Sequence, residues 1–177
     1  MALLFCTAEE AKPFIPTIMS DRVFDLVESR EIPGEGERFK RTLEEGATFR
    51  TDFIGASVEE CETWTQELWQ RTNLGEGFMI AIADKRTASD HTISLLYYND
   101  NSDDMEFEEF EGGKLPAKND TWYEFRIKYK DSFPIFAALS ETEPDVVYPT
   151  YFGRKDECTD KDGIFDVEKA ERLLVEQ

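Results

Sequence analysis

Histidine, cysteine and long apolar runs are scarce in this chain of 177 residues, and each scarcity closes off a class of function. His91 is the one histidine, so a nucleophilic triad or an imidazole-held metal has a single residue to pass through. Cys6, Cys61 and Cys158 make an odd number with no CxxC pair, which suits neither a disulfide framework nor a zinc ribbon. No apolar stretch approaches the ~20 residues that a membrane-crossing helix needs. Met1 leads into Leu3-Leu4-Phe5, but Glu9 and Glu10 follow at once. A signal peptide starts basic and has a longer apolar run, so none is read here. Walker, GxSxG and HExxH motifs are missing, and Gly34-Glu35-Gly36 lacks the strand-then-helix setting of a nucleotide fingerprint. A reducing, cytoplasmic setting without a cofactor is the expectation.

Positive charge is also in short supply: 20 Lys and Arg stand against 39 Asp and Glu, a net charge of −19. A field of that sign repels phosphates and anionic membranes, and attracts basic proteins and cations. Direct binding to nucleic acid or membrane is therefore disfavoured and a basic protein partner favoured, although solubility alone also accounts for such a charge. Apolar residues are plentiful, at 40% of the chain, with 14 Phe among them. That is too rich for a disordered chain and enough for one packed interior.

The pattern along the chain predicts an α+β fold. It consists of a mainly antiparallel sheet of about five strands, a capped amphipathic helix on one face, and a C-terminal helix. One domain spans the chain, with residues 1–46 as an N-terminal strand/helix arm and loop and 47–177 as the core. Residues 2–6 read as a strand. Residues 9–28 read as helix in pieces, broken at Pro13 and Pro16, with Val23, Phe24, Leu26 and Val27 on a short amphipathic helix. Residues 29–46, with Pro33, Gly34, Gly36 and Gly46, read as loop. Residues 47–53 alternate as a half-buried strand does, Phe49, Thr51 and Phe53 on one side.

Ser57-Val58-Glu59-Glu60 is a capping box. It opens a helix whose Val58, Cys61, Trp64 or Thr65, and Leu68 share a face, closed by Asn73 and Gly75. The unbroken apolar run 78–83 suits a central strand covered on both faces. It pairs as a hairpin with 92–98 across a turn at 84–90. After an acidic loop at 99–113, residues 121–129 alternate, with Tyr123, Phe125, Ile127 and Tyr129 inward. Residues 134–139 and 146–152 read as short edge strands, where proline is tolerated. A last helix covers 167–176, capped by Asp166.

Four places can carry chemistry. Asp100, Asp103, Asp104, Glu106, Glu108, Glu109 and Glu111 form an acidic span with Phe107 and Phe110 set among them. The carboxylates can steer a basic partner and the rings can anchor it. The same span also reads as a solvated insertion, or as oxygen ligands for Ca²⁺. Asp160-Lys161-Asp162-Gly163 resembles a calcium loop. With Gly163 at the sixth loop position, however, Cys158 falls first and Lys169 twelfth, where carboxylates belong, so a turn before a capped helix is preferred. His91 sits in a Ser-Asp-His turn and reads as exposed. Arg50 and Asp52 on one strand, with Glu124 and Arg126 on another, make either a charged row over a pocket or a ladder of surface ion pairs.

Arg50-Thr51-Asp52-Phe53, Trp64 in the next helix, Ala83-Asp84 with Thr87, residues 93–98, Phe125-Arg126 and Asp162-Gly163-Ile164-Phe165 occur in that order. Together they resemble an uncharacterised domain family found mainly in actinobacteria, with fungal relatives. The resemblance covers roughly residues 47–166. It departs in a shorter stretch after Trp64 and in the acidic loop, which looks inserted. It implies an α+β fold and a cytosolic setting, and no functional residue.

The leading reading is a non-enzymatic, acidic protein-binding module of inhibitor or immunity type. One alternative is a small metal-independent enzyme with an aromatic, carboxylate-lined pocket, using Asp52, Glu124, Tyr97, Tyr123 and His91. A Ca²⁺-responsive module is another.

Overall fold

The computed structural model describes residues 1–34, 36–72, 74, 78–99 and 120–176. Five strands form one sheet: β1 (Ala2–Cys6), β2 (Phe24–Val27), β3 (Met79–Ala83), β4 (Thr92–Asn99) and β5 (Thr121–Lys128), in the order β2-β1-β3-β4-β5. The expected α+β class holds, but the sheet is mixed. β1 runs parallel to both β2 and β3, while β3, β4 and β5 are antiparallel neighbours. Parallel neighbours require crossover connections, and these turn right-handed. Because the chain steps outward from β1 to β2 and then back past β1 to β3, the two crossovers land on opposite faces. Helices therefore cover the sheet on both sides, not on one. β1 is hydrogen-bonded on both edges, so residues 1–46 supply an interior strand of the core.

Side chains alternate across the sheet with the period of the pleat. Leu3, Phe5, Val27, Ile80, Ile82 and Leu96 face one way. Leu4, Cys6, Leu26, Ala81, Leu95, Phe125 and Ile127 face the other. On the first face lies α2 (Val58–Arg71), opened by the expected capping box: Ser57 Oγ accepts from the Glu60 amide, and the Glu60 carboxylate accepts from the Ser57 amide. Cys61, Trp64, Thr65 and Leu68 form its buried stripe. Val58, placed on that stripe by spacing, is exposed. Phe5, Phe53 and Trp64 meet edge-on at centroid distances of 4.8, 5.6 and 5.7 Å.

The second face is covered by short pieces. The 3-10 turn Glu9–Phe14, α1 (Ile15–Ile18) and the 3-10 turn Met19–Asp21 make the β1–β2 crossover. After α3 (Lys85–Asp90), the chain returns to this face with α4 (Ser132–Glu141), α5 (Pro144–Tyr148) and a π-helical turn Pro149–Gly153. It ends with α6 (Lys155–Cys158) and α7 (Val167–Val175), the latter capped by Asp166 as expected.

Several expectations are corrected. The two edge strands expected at 134–139 and 146–152 are helical, because Pro134 and Pro144 sit in first turns, where a missing N–H leaves no helical bond unmade. The helix expected over Val23 to Val27 is the strand β2. Arg22, left-handed at φ 57°, ends the preceding turn, and all four residues of β2 are buried. Residues 84–90 form a capped helix instead of a turn. Residues 47–53 form no strand. Their polar groups bond to the ends of the parallel strands instead, Asp52 N–H to the Glu28 carbonyl at 2.9 Å and the Thr51 hydroxyl to the Val27 carbonyl at 3.4 Å. Phe49 and Phe53, expected on one side, go to opposite faces of the sheet.

Candidate functional site

The nine residues named in the acidic span, Asp100 to Glu111, lie outside the described residues. What is described are the residues that flank positions 100–119. β4 and β5 pair through Asn99 and Thr121, and the Asp120 amide donates to the Asn99 carbonyl at 2.9 Å. The Tyr98 hydroxyl donates to the Asp120 carboxylate. Asn99 and Asp120, the described residues on either side of positions 100–119, are thus held side by side at one corner of the sheet.

That corner is aromatic. Tyr98 and Trp122 are cross-strand partners, and Trp69, in the last turns of α2, packs on both. Trp69 and Trp122 stack at 5.7 Å and 25°, and Tyr98 lies 4.9 Å from Trp122 and 5.7 Å from Trp69. The indole N–H groups of Trp69 and Trp122 are buried and find no hydrogen-bond partner among the described residues. Orphan donors of that kind are uncommon and mark a place for an acceptor.

Carboxylates stand on the same side. Glu62 and Trp69 are seven residues apart on α2 and so share a side. Glu124 and Trp122 are two apart on β5 and share a face. Ser94 Oγ donates to Glu124 at 2.5 Å. Burial pushes the Glu62 carboxyl above the usual range, and the charges of Glu59 and Glu124 add to the shift. Lys155 is engaged at the outer edge of β5: its Nζ donates to the Glu124 carbonyl at 2.5 Å and lies 4.9 Å from the centre of the Phe125 ring.

A second polar cluster closes the C-terminal end of β3. Arg126 grips Asp84 with two hydrogen bonds of 2.7 and 2.6 Å and donates a third, of 2.6 Å, to the Thr92 hydroxyl. Asp84 also accepts from the Arg86 and Thr87 amides as the cap of α3. Burial alone would raise the Asp84 carboxyl, but the bonds and charge of Arg126 outweigh it and hold it below the usual range. Asp84, Arg126 and Thr92 bond to one another across three elements, so the cluster is a clasp between β3, β4 and β5 that also caps α3. The proposed row of Arg50, Asp52, Glu124 and Arg126 does not form. Asp52 accepts from the Arg30 amide instead, and the Arg30 side chain bonds the Asp52 carbonyl and Glu60.

The residues named for the enzyme reading fall in separate places. Tyr97 and Tyr123 are cross-strand partners on the second face. There Tyr97 is buried against Tyr148, with their hydroxyls bonded to each other, and burial pushes its phenol far up. Glu124 is on the opposite face of the same strand, and Asp52 precedes α2. His91 is exposed at φ 60° after α3, its Nδ1 3.0 Å from the Tyr129 hydroxyl. The calcium-like stretch is a turn, as expected: Asp160 Oδ1 accepts from the amides of Asp162 and Ile164, and Gly163 is left-handed at φ 78°. Among the described residues no group of three His, Cys, Asp or Glu is placed to hold a metal, and no helix is long and apolar enough to cross a membrane.

Sequence reading missed Trp69, Trp122 and Glu62 as a set. The signal was available in part: Glu62 and Trp69 have heptad spacing, and Trp122 and Glu124 have strand spacing. Only the sheet order brings the two pairs together. Compared with known proteins, the chain matches no family model, no curated protein and no solved structure.

Proposed function

We propose that this chain is a non-enzymatic, acidic protein-binding module of inhibitor or immunity type. It would engage a basic partner through the span Asp100 to Glu111 together with the aromatic corner of Trp69, Tyr98 and Trp122. One observation supports the reading: Asn99 and Asp120, which flank in sequence the stretch holding the seven carboxylates, stand beside a platform of Trp69, Tyr98 and Trp122 with Glu62 and Glu124 on the same side. Large rings with polar edges are the side chains that most often dominate binding energy, and surrounding carboxylates speed the approach of a cationic partner. A cationic side chain beside Glu62 and Glu124 relieves the repulsion between them. A carbonyl or hydroxyl of the same partner can accept from the indole N–H groups.

The test is a pull-down from native lysate at low salt with three baits. They are the intact chain, a variant with the seven carboxylates of 100–111 changed to Asn or Gln, and the pair Trp69→Ala, Trp122→Ala. The expected result is a basic protein retained by the first bait and lost from the second and third. Equal retention by all three, or no retained protein, overturns the reading.

A further inference from the structure

We infer that α4 is a self-association face: two copies of this chain pair through the outward sides of their α4 helices, antiparallel about a two-fold axis. Ser132, Ile135 and Leu139 are the buried stripe of this helix. Its outward side carries Phe133, 55% exposed, with half-buried Pro134 and Ala137 and exposed Ser140. From Ser132 to Ser140 there is no charged residue. A surface helix ordinarily turns charge to water, as α2 does with Glu59 and Glu67, and α7 with Glu168, Glu171 and Arg172. A helix uncharged all round is normally covered all round.

Charge selects the occupant. A second copy carries the same net charge of −19, so two copies can approach closely only through a face where like charges do not meet. A basic partner gains nothing on this stretch, because it holds no carboxylate to pair with. The ends of the helix are complementary in the antiparallel sense. At its C-terminal end Glu143 is exposed and makes no cap bond to α5. At its N-terminal end the Lys130 side chain is 70% exposed, and its contact to Asp131 is long, at 3.8 Å. Asp166 and Glu168 also lie near Asp131, so the pairing rests on the reach of Lys130 and not on a positive end.

These features fix a register. With the axis between Phe136 and Ala137, residues equally spaced on either side of it face each other across the pair. Phe133 then lies over Ser140 of the second copy, and Lys130 reaches Glu143 of the second copy. An isologous pair makes each contact twice. Ala137 and Ser140 are short, so the axes can approach to ~8 Å and leave room for the ring. Two faces from helices of ten residues bury less than about 1,200 Å² in total, which belongs to weak, reversible association.

Sedimentation equilibrium of the full chain tests this. A monomer–dimer equilibrium half complete at roughly 0.1–1 mM is expected. It should tighten as salt screens the charge that both copies share. Phe133→Asp should weaken it about tenfold or more. Lys130→Glu and Glu143→Lys should each weaken it about threefold or more, and the two together in one chain should restore it, since both pairs then form with their signs exchanged. All three side chains are exposed, so the variants should melt as the parent does. A chain that stays monomeric to about 2 mM overturns the inference, as does a dimer that Phe133→Asp leaves intact. A double charge exchange no better than either single change overturns the antiparallel register.

Discussion

One face of the sheet is covered by α2, a single helix of 14 residues with a capping box and a stripe of Cys61, Trp64, Thr65 and Leu68. The other face is covered by short pieces. Four of these, α1, α4, α5 and α6, begin without a side-chain cap. The first cover is specified locally: its start signal and its buried spacing lie within its own residues. The second is specified by what it packs on, because a helix of four or five residues has too few internal hydrogen bonds to stand alone. The faces should accordingly respond to different perturbations.

The largest effect is expected in the packing beneath α2. Phe53→Ala removes a wholly buried ring from the edge-on group with Phe5 and Trp64, and should cost about 4 kcal/mol in urea-monitored unfolding. Next comes the clasp that ties α3 and β5 to β3. Asp84→Ala leaves Arg126, whose side chain is 9% exposed, without its carboxylate. Breaking a wholly buried pair costs about 3–5 kcal/mol, and the 36% exposure of Asp84 lowers the expected loss to about 2–3 kcal/mol.

The same clasp sets a pH dependence. The folded-state pKa of Asp84 lies below its ordinary value, so its contribution is fully present above that ordinary value. It is lost as pH falls through the lower, folded value. Stability curves of the parent and Asp84→Ala should converge in that acid range. Parallel curves down to full protonation would remove the clasp from the account.

Smaller effects separate local from contextual coding. Ser57→Ala should cost about 1 kcal/mol through loss of the α2 cap, with amide exchange increased first at the start of α2. On the other face, Tyr151 is buried with its hydroxyl unpartnered among the described residues. Tyr151→Phe should raise stability by up to about 1 kcal/mol, since the change removes a desolvated group that gains no hydrogen bond. A fall in melting temperature would show that the hydroxyl is in use.

The same distinction explains what could be read from the residues. β1, α2, β3, β4, β5 and α7 were legible because period and caps agree within each. The parallel pairing of β1 was not, because nothing in residues 2–6 states which strand lies beside them. Residues 146–152 read as a strand because Val146, Val147 and Tyr148 favour one locally. Burial of Val147, Tyr148 and Tyr151 in the same core cluster as β4 and β5 residues overrides that preference. Asp84-x-x-Thr87 is a cap signal as regular as Ser57-x-x-Glu60, but it lacks a following apolar stripe and so read as a turn. Of the candidate site, the excess of carboxylate was plain from composition. The aromatic corner was not, since it joins α2 to β5 across more than fifty residues of chain.

The salt dependence of partner binding tests the central claim most directly. With the captured basic protein in hand, its affinity should fall about tenfold or more between low and high ionic strength. The variant neutralised across residues 100–111 should bind weakly and show little such dependence. An affinity that ignores ionic strength, or that survives neutralisation unchanged, would contradict a carboxylate-presenting surface as the working part of this protein.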